Sequence, residues 1–122
     1  GRKKNVIVLK NGKNIYPEEL EILIANLPYA EENMVFGQPR HEDGDERDLA
    51  LCAKIVYNKD YMKEHYGTED LSEIEKIIKK DIDAINEELP VYKQMLRIIV
   101  TDEPMIKTTT GKVKRFEEVK KL

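Results

Sequence analysis

The segment Asp48-Leu-Ala-Leu-Cys-Ala-Lys-Ile-Val-Tyr57 constrains the fold more than any other stretch of the chain. Leu49, Leu51, Ala53, Ile55 and Tyr57 alternate as the inward row of a strand, yet Ala50, Cys52 and Val56 make the other row apolar too. A strand that is apolar on both faces reads as an interior one, because a solvated face would carry polar residues. The rest of the chain must therefore supply its neighbours and its cover. Cys52 lies within this run and reads as a small core residue.

The neighbours are legible. Asn5-Val-Ile-Val-Leu9 is a short strand running into the turn Lys10-Asn-Gly-Lys13, where Gly12 can take positive φ. Pro17 begins a helix whose first turn carries Glu18 and Glu19, and Leu20, Leu23, Ile24 and Leu27 follow at helical spacing up to Pro28. Glu32 to Gly37 reads as a second core strand, joined to the long one by the charged loop from His41 to Asp48. Asp60 to Tyr66 forms a short helix. Leu71, Ile74, Ile77, Ile78, Ile82, Ile85 and Leu89 then mark the clearest amphipathic helix, with Asp70 and Glu73 as a capping box and Pro90 as its stop. Met95 to Thr101 is a third core strand. A Thr/Gly loop and a short basic helix from Lys114 follow. The order predicts an α+β fold: a small mixed sheet with an N-terminal β-hairpin and two to three packed helices.

At 122 residues this is one domain, with 40% hydrophobic residues to fill a core. The formal charge of −3 conceals a division. Residues 1–13 hold five basic residues and no acid, and residues 107–122 hold six basic and two acidic ones. Between them lie 10 basic and 22 acidic residues. Both cationic ends are candidates for meeting a polyanion. Nucleic acid is excluded as a partner, because aromatic platforms are missing and the acidic middle repels phosphate. No apolar run exceeds five residues, so no membrane span is present. A single cysteine and no signal-peptide pattern suit a reducing, cytoplasmic location.

Few residues offer chemistry by themselves. His41 and His65 have no second ligand at metal-like spacing, and no catalytic triad is evident. Thr110-Gly111-Lys112 is not a phosphate-binding P-loop, since Ile106 and Val113 stand where Gly and Ser/Thr are required. It is either an ordinary surface turn or an arm that inserts a charge into a site.

Two separated stretches carry a family resemblance. Gly1-Arg-Lys-Lys-Asn5 with Gly12-Lys-Asn-Ile-Tyr-Pro-Glu-Glu-Leu-Glu21 resembles the eighth core motif of the adenylate-forming enzymes, which include acyl-CoA synthetases, luciferases and peptide-synthetase adenylation domains. Leu89-Pro-Val-Tyr-Lys93, Glu103-Pro104 and Lys107-Thr-Thr-Thr-Gly-Lys-Val-Lys-Arg115 resemble the tenth. Gly37-Gln-Pro39 and Gly44-Asp-Glu46 look like the middle of the same domain. The resemblance implies that residues 1–122 are the mobile C-terminal lid, with the large N-terminal domain absent and acting as its partner. It implies an acid–CoA ligase: a carboxylic acid, here a fatty acid, attacks ATP (with Mg2+, held mainly by the missing domain), and CoA then displaces AMP. The lid alone is expected to be inactive.

By the same resemblance Lys112 is the catalytic lysine of adenylation, Arg2, Gly12 and Gly111 are cofactor-binding, and Lys4 is the hinge. Arg2 would lie near the AMP ribose and phosphate, and the hairpin of Gly12 would swing toward the pantetheine channel. Two departures stand out: Asn5 replaces a frequent acid, and Val8 replaces the second catalytic lysine of luciferases. The alternative from another class is a standalone nucleotide- or protein-binding α+β module without catalysis.

Overall fold

The computed structural model of the chain describes residues 6–10, 12–39 and 48–104. A hairpin of β1 (Ile7–Val8) and β2 (Asn14–Ile15) opens the chain, followed by α1 (Pro17–Ala25). The main sheet contains β3 (Ala30–Pro39), β4 (Leu49–Tyr57) and β5 (Met95–Thr101). Between β4 and β5 come α2 (Lys59–Tyr66), α3 (Leu71–Glu87) and a 3-10 turn, Val91–Lys93. The expected α+β class, the mixed sheet and the hairpin are all present, with three helices.

The doubly apolar strand is central, in the order β3-β4-β5. Every residue from Ala50 to Tyr57 is buried, including Lys54. β3 runs antiparallel to β4, with Phe36 opposite Cys52 and Pro39 opposite Leu49. β5 runs parallel to β4, from Leu51 opposite Met95 to Val56 opposite Thr101. A parallel pair needs a long crossover, and α2 with α3 supplies it. On one face Val35, Leu51, Ala53 and Ile55 meet Leu20 and Ile24 of α1, Met62 of α2, and Ile74, Ile78 and Ile82 of α3. On the other face Met34, Phe36, Cys52 and Val56 cluster with Ile99. Three isoleucines of α3 are at most 1% exposed, and each such side chain contributes about 1.5–3 kcal/mol by burial.

Several boundaries moved for physical reasons. β3 is longer than the expected Glu32–Gly37 because pairing with β4 continues over residues of low strand propensity. α1 stops at Ala25, with Asn26 as its C-cap, although Leu27 still packs on the core. The capping box of α3 is rewired. Asp70 Oδ1 accepts from the Ser72 N–H at 3.0 Å, but Glu73 accepts from the Thr68 hydroxyl instead of the Asp70 amide. Thr68 Oγ1 in turn accepts from the Asp70 N–H at 3.2 Å, so a buried threonine closes the box. The loop over 41–47 and the basic helix from Lys114 lie outside the described residues.

Tyr29, only 1% exposed, donates from its hydroxyl to Asp81 Oδ2 at 2.7 Å and ties the start of β3 to α3. Burial, then the Asp81 hydrogen bond and charge, hold its phenol well above the usual range. The folded chain therefore keeps the proton where the unfolded chain ionises, near pH ~10. Its contribution is complete below that pH and is lost as pH rises above it. Urea midpoints should fall between pH 9 and pH 11, and Tyr29→Phe should flatten that fall. The same variant should be about 1–2 kcal/mol less stable at neutral pH, because Asp81 loses a donor. An unchanged alkaline slope would exclude Tyr29 as the group responsible.

Candidate functional site

The hairpin is built around one glycine. Ile7 pairs with Ile15 and Val8 with Asn14. Beyond them Leu9 N donates to Lys13 O at 2.9 Å, and Gly12 N donates to Leu9 O at 2.8 Å. Gly12 sits at φ +86°, the left-handed geometry that ends a three-residue hairpin loop. A Cβ built on it would meet none of the described residues within 4 Å.

The base of the hairpin is anchored. Ile15 is 1% exposed and part of the main core. Gly37 makes the approach possible: a Cβ there would lie 3.2 Å from Leu49 Cδ1 and 3.3 Å from Ile7 Cγ2. The Gly37-Gln-Pro stretch therefore has a packing role at the end of the sheet where β4 begins. Lys13 extends over the ring of Tyr92, with Nζ 4.4 Å from the centroid. Leu9, Lys10 and Lys13, Asp48 and Leu49, and Val91 and Tyr92 together line an open groove of about 520 Å³.

The stretch toward Lys112 leaves from the other end. β5 runs parallel to β4, so Thr101 lies beside Val56, and the described chain continues only to Pro104. The groove beside the hairpin includes Leu49 at the start of β4, whereas Thr101 lies beside Val56 near its end, and six residue steps of β5 span about 20 Å at 3.3 Å per residue. Of the expected site residues the structure describes only Gly12. Arg2, Lys4, Gly111 and Lys112 lie outside the described residues.

Among the described residues, Cys52 and His65 have structural explanations, and His41 lies outside them. Burial raises the Cys52 thiol pKa despite the opposing charge of Arg97, and the side chain is 1% exposed. It is a core residue. Exposed His65 stacks on Tyr61 at 4.0 Å between ring centroids. No group of His, Cys, Asp and Glu among the described residues is arranged to hold a metal ion. The Lys13–Tyr92 contact was not legible from sequence, although each residue falls within a family-like motif, because nothing in either motif indicates that they pack together.

A family model described as the AMP-binding enzyme C-terminal domain matches residues 4–122. The chain belongs to this family. Solved structures agree with the assignment of this AMP-binding C-terminal domain. MatB from Rhodopseudomonas palustris is 26% identical with a TM-score of 0.64, over 96% of this chain and 20% of that one. An acyl-CoA synthetase of Brucella canis is 24% identical with a TM-score of 0.66, over 99% of this chain and 20% of that one. A fatty acyl CoA synthetase of Mycobacterium tuberculosis is 21% identical with a TM-score of 0.63, over 94% and 19%. The chain thus spans about a fifth of the length of these solved relatives. Comparison with curated proteins gave no match. No helix among the described residues is long and apolar enough to cross a membrane.

Proposed function

We propose that this AMP-binding C-terminal domain is the mobile catalytic lid of a cytoplasmic ATP-dependent acid–CoA ligase, with a fatty acid as the acyl substrate. Residues 1–122 form the lid, Lys4 is its hinge, and the larger part of the enzyme is its partner. In the first half-reaction a carboxylate oxygen attacks the α-phosphorus of ATP and the bond to pyrophosphate breaks. In the second, the thiol sulfur of CoA attacks the acyl carbon, the bond to AMP breaks, and the thiol proton passes to solvent.

Lys112 serves the first step, because a compact cation on a long stem can follow the charge that develops at the reacting oxygens. Arg2 and Gly111 contact the nucleotide. The Gly12 turn serves the second step, where a backbone without a side chain can pass close to a thiol arm. The supporting observation is the division of the fold: the Gly12 turn is at one end of the sheet, and the chain toward Lys112 departs from the other. A hinged domain can present different residues to one pocket by rotating, and the hinge absorbs the change in φ and ψ. ATP, Mg2+ and the acid are held mainly by the rest of the enzyme.

The test is pyrophosphate exchange by the full-length enzyme containing this chain, over a panel of acetate, malonate, benzoate and saturated fatty acids. Exchange supported best by fatty acids, followed by CoA-dependent release of AMP, is the expected result. Exchange with none of the acids, combined with nucleotide binding by the chain alone, would return the reading to a standalone binding module.

A further inference from the structure

We infer that Tyr92 is a positioning residue for thioester formation: it seats the Gly12 hairpin through the Lys13 side chain and so acts on the second half-reaction and not the first. The inference rests on the role proposed for the hairpin, and it gives a function to the Leu89-Pro-Val-Tyr-Lys93 motif.

Tyr92 is mounted on a segment tied by several hydrogen bonds. Asn86 of α3 pairs with the backbone of Met95 in both directions, its Nδ2 donating to Met95 O at 3.0 Å and its Oδ1 accepting from Met95 N at 2.8 Å. Gln94 Nε2 donates to the carbonyls of Asn86 at 3.1 Å and Leu89 at 3.3 Å, at the end of α3. Inside the turn, Lys93 N donates to Pro90 O at 2.9 Å and Gln94 N to Val91 O at 3.2 Å. The half-buried Tyr92 also packs against the main core.

The hairpin itself is short, with Leu9 at its loop packed on the main core. Its two strands are two residues each, and a two-stranded hairpin is marginal in water without further packing. Ile7 and Ile15 fasten its base. Lys13, one residue beyond Gly12, reaches from the loop to the ring, with Nζ 4.4 Å from the centroid. That geometry is a cation–π contact, which depends on the ring face and not on the phenolic hydroxyl. Lys93 Nζ lies 5.8 Å from the same centroid, so the ring also receives a cation from its own turn. The aromatic face thus couples a tied platform to the loop that presents Gly12.

The contact predicts a specific mutational order. In the full-length enzyme, Tyr92→Leu should lower thioester formation from CoA and preformed acyl-adenylate about three- to tenfold, with the effect in the KM for CoA. Pyrophosphate exchange should be unchanged. Tyr92→Phe keeps the ring face and should behave as wild type. Lys13→Met keeps the aliphatic stem and should reproduce the selective loss, which covers the case in which Tyr92→Leu does not fold. Hydrogen exchange at the Leu9 and Gly12 amides should accelerate in Tyr92→Leu but not in Tyr92→Phe. That measurement reads the seat even if the enzyme makes no thioester, so failure of the functional reading and failure of this inference are separable. Equal loss in both half-reactions, no loss in either, a Phe variant as impaired as the Leu variant, or unchanged amide exchange would overturn the assignment.

Discussion

Lys112→Ala in the full-length enzyme is expected to slow acyl-adenylate formation about 10²–10³-fold, the range seen when one preorganised donor to a developing charge is lost. Thioester formation from supplied acyl-adenylate should remain near wild type. The asymmetry follows from timing. Charge moves onto the phosphate oxygens during the first step, and a single cation about 4 Å away at an effective dielectric near 20 is worth roughly 4 kcal/mol. On the proposed reading the domain has rotated by the second step and the lysine no longer faces the pocket. Lys112→Gln, which keeps length and polarity, should fail like alanine if charge is the operative property. Lys112→Arg should recover only part of the rate, because a planar fork cannot occupy the position of a point cation. Single-turnover assays of each half-reaction separate these cases. Wild-type rates in both halves would remove Lys112 from the mechanism, and equal losses in both would make it a structural residue.

The fold was largely legible because burial follows from pattern. The doubly apolar run from Leu49 to Tyr57 demanded an interior position, and β4 occupies it. The isoleucine spacing of 74, 78 and 82 defined the buried stripe of α3, and all three are at most 1% exposed. Contacts between distant side chains were not legible. The Glu73 carboxylate had two possible partners within one turn, Thr68 and the Asp70 amide, and the buried hydroxyl took it. Glu21 accepts from the Val35 N–H at 2.7 Å, an edge contact between α1 and β3 that helical spacing cannot indicate. The same holds at the candidate site. Gly12 was readable as a positive-φ residue from Asn-Gly turn chemistry, and its φ of +86° agrees. The seat that holds its loop required Tyr92, 80 positions away, to be placed by a crossover and a tied 3-10 turn. Periodicity describes how one segment buries itself. It does not say which loop another segment touches.

Gly12→Leu is expected to reverse the Lys112 pattern, lowering thioester formation about 10²-fold, as a small misplacement of a reacting group can, while adenylation stays near wild type. The structure separates two ways in which this substitution could act. At φ +86° any L-residue is strained, and a left-handed residue costs roughly 1–2 kcal/mol. That cost falls on the hairpin whatever the side chain. Bulk is a different matter, because nothing in the described structure lies within 4 Å of an added Cβ. The Cβ of a leucine would therefore start clear of the described residues, and on the proposed reading the side chain would extend into the path of the thiol arm in the rotated state. Gly12→Ala carries nearly the same backbone strain with the smallest side chain, and Gly12→Asn tolerates the left-handed geometry better. If obstruction is the cause, thioester formation should fall in the order of side-chain bulk, with Leu far below Ala. If strain is the cause, Ala should be as poor as Leu and Asn should recover. Thermal unfolding of the three variants measures the strain directly, so the kinetic excess of Leu over Ala isolates what approaches the hairpin. Equal rates for Leu and Ala, or equal losses in the two half-reactions, would detach Gly12 from the thiol path and leave it a turn residue.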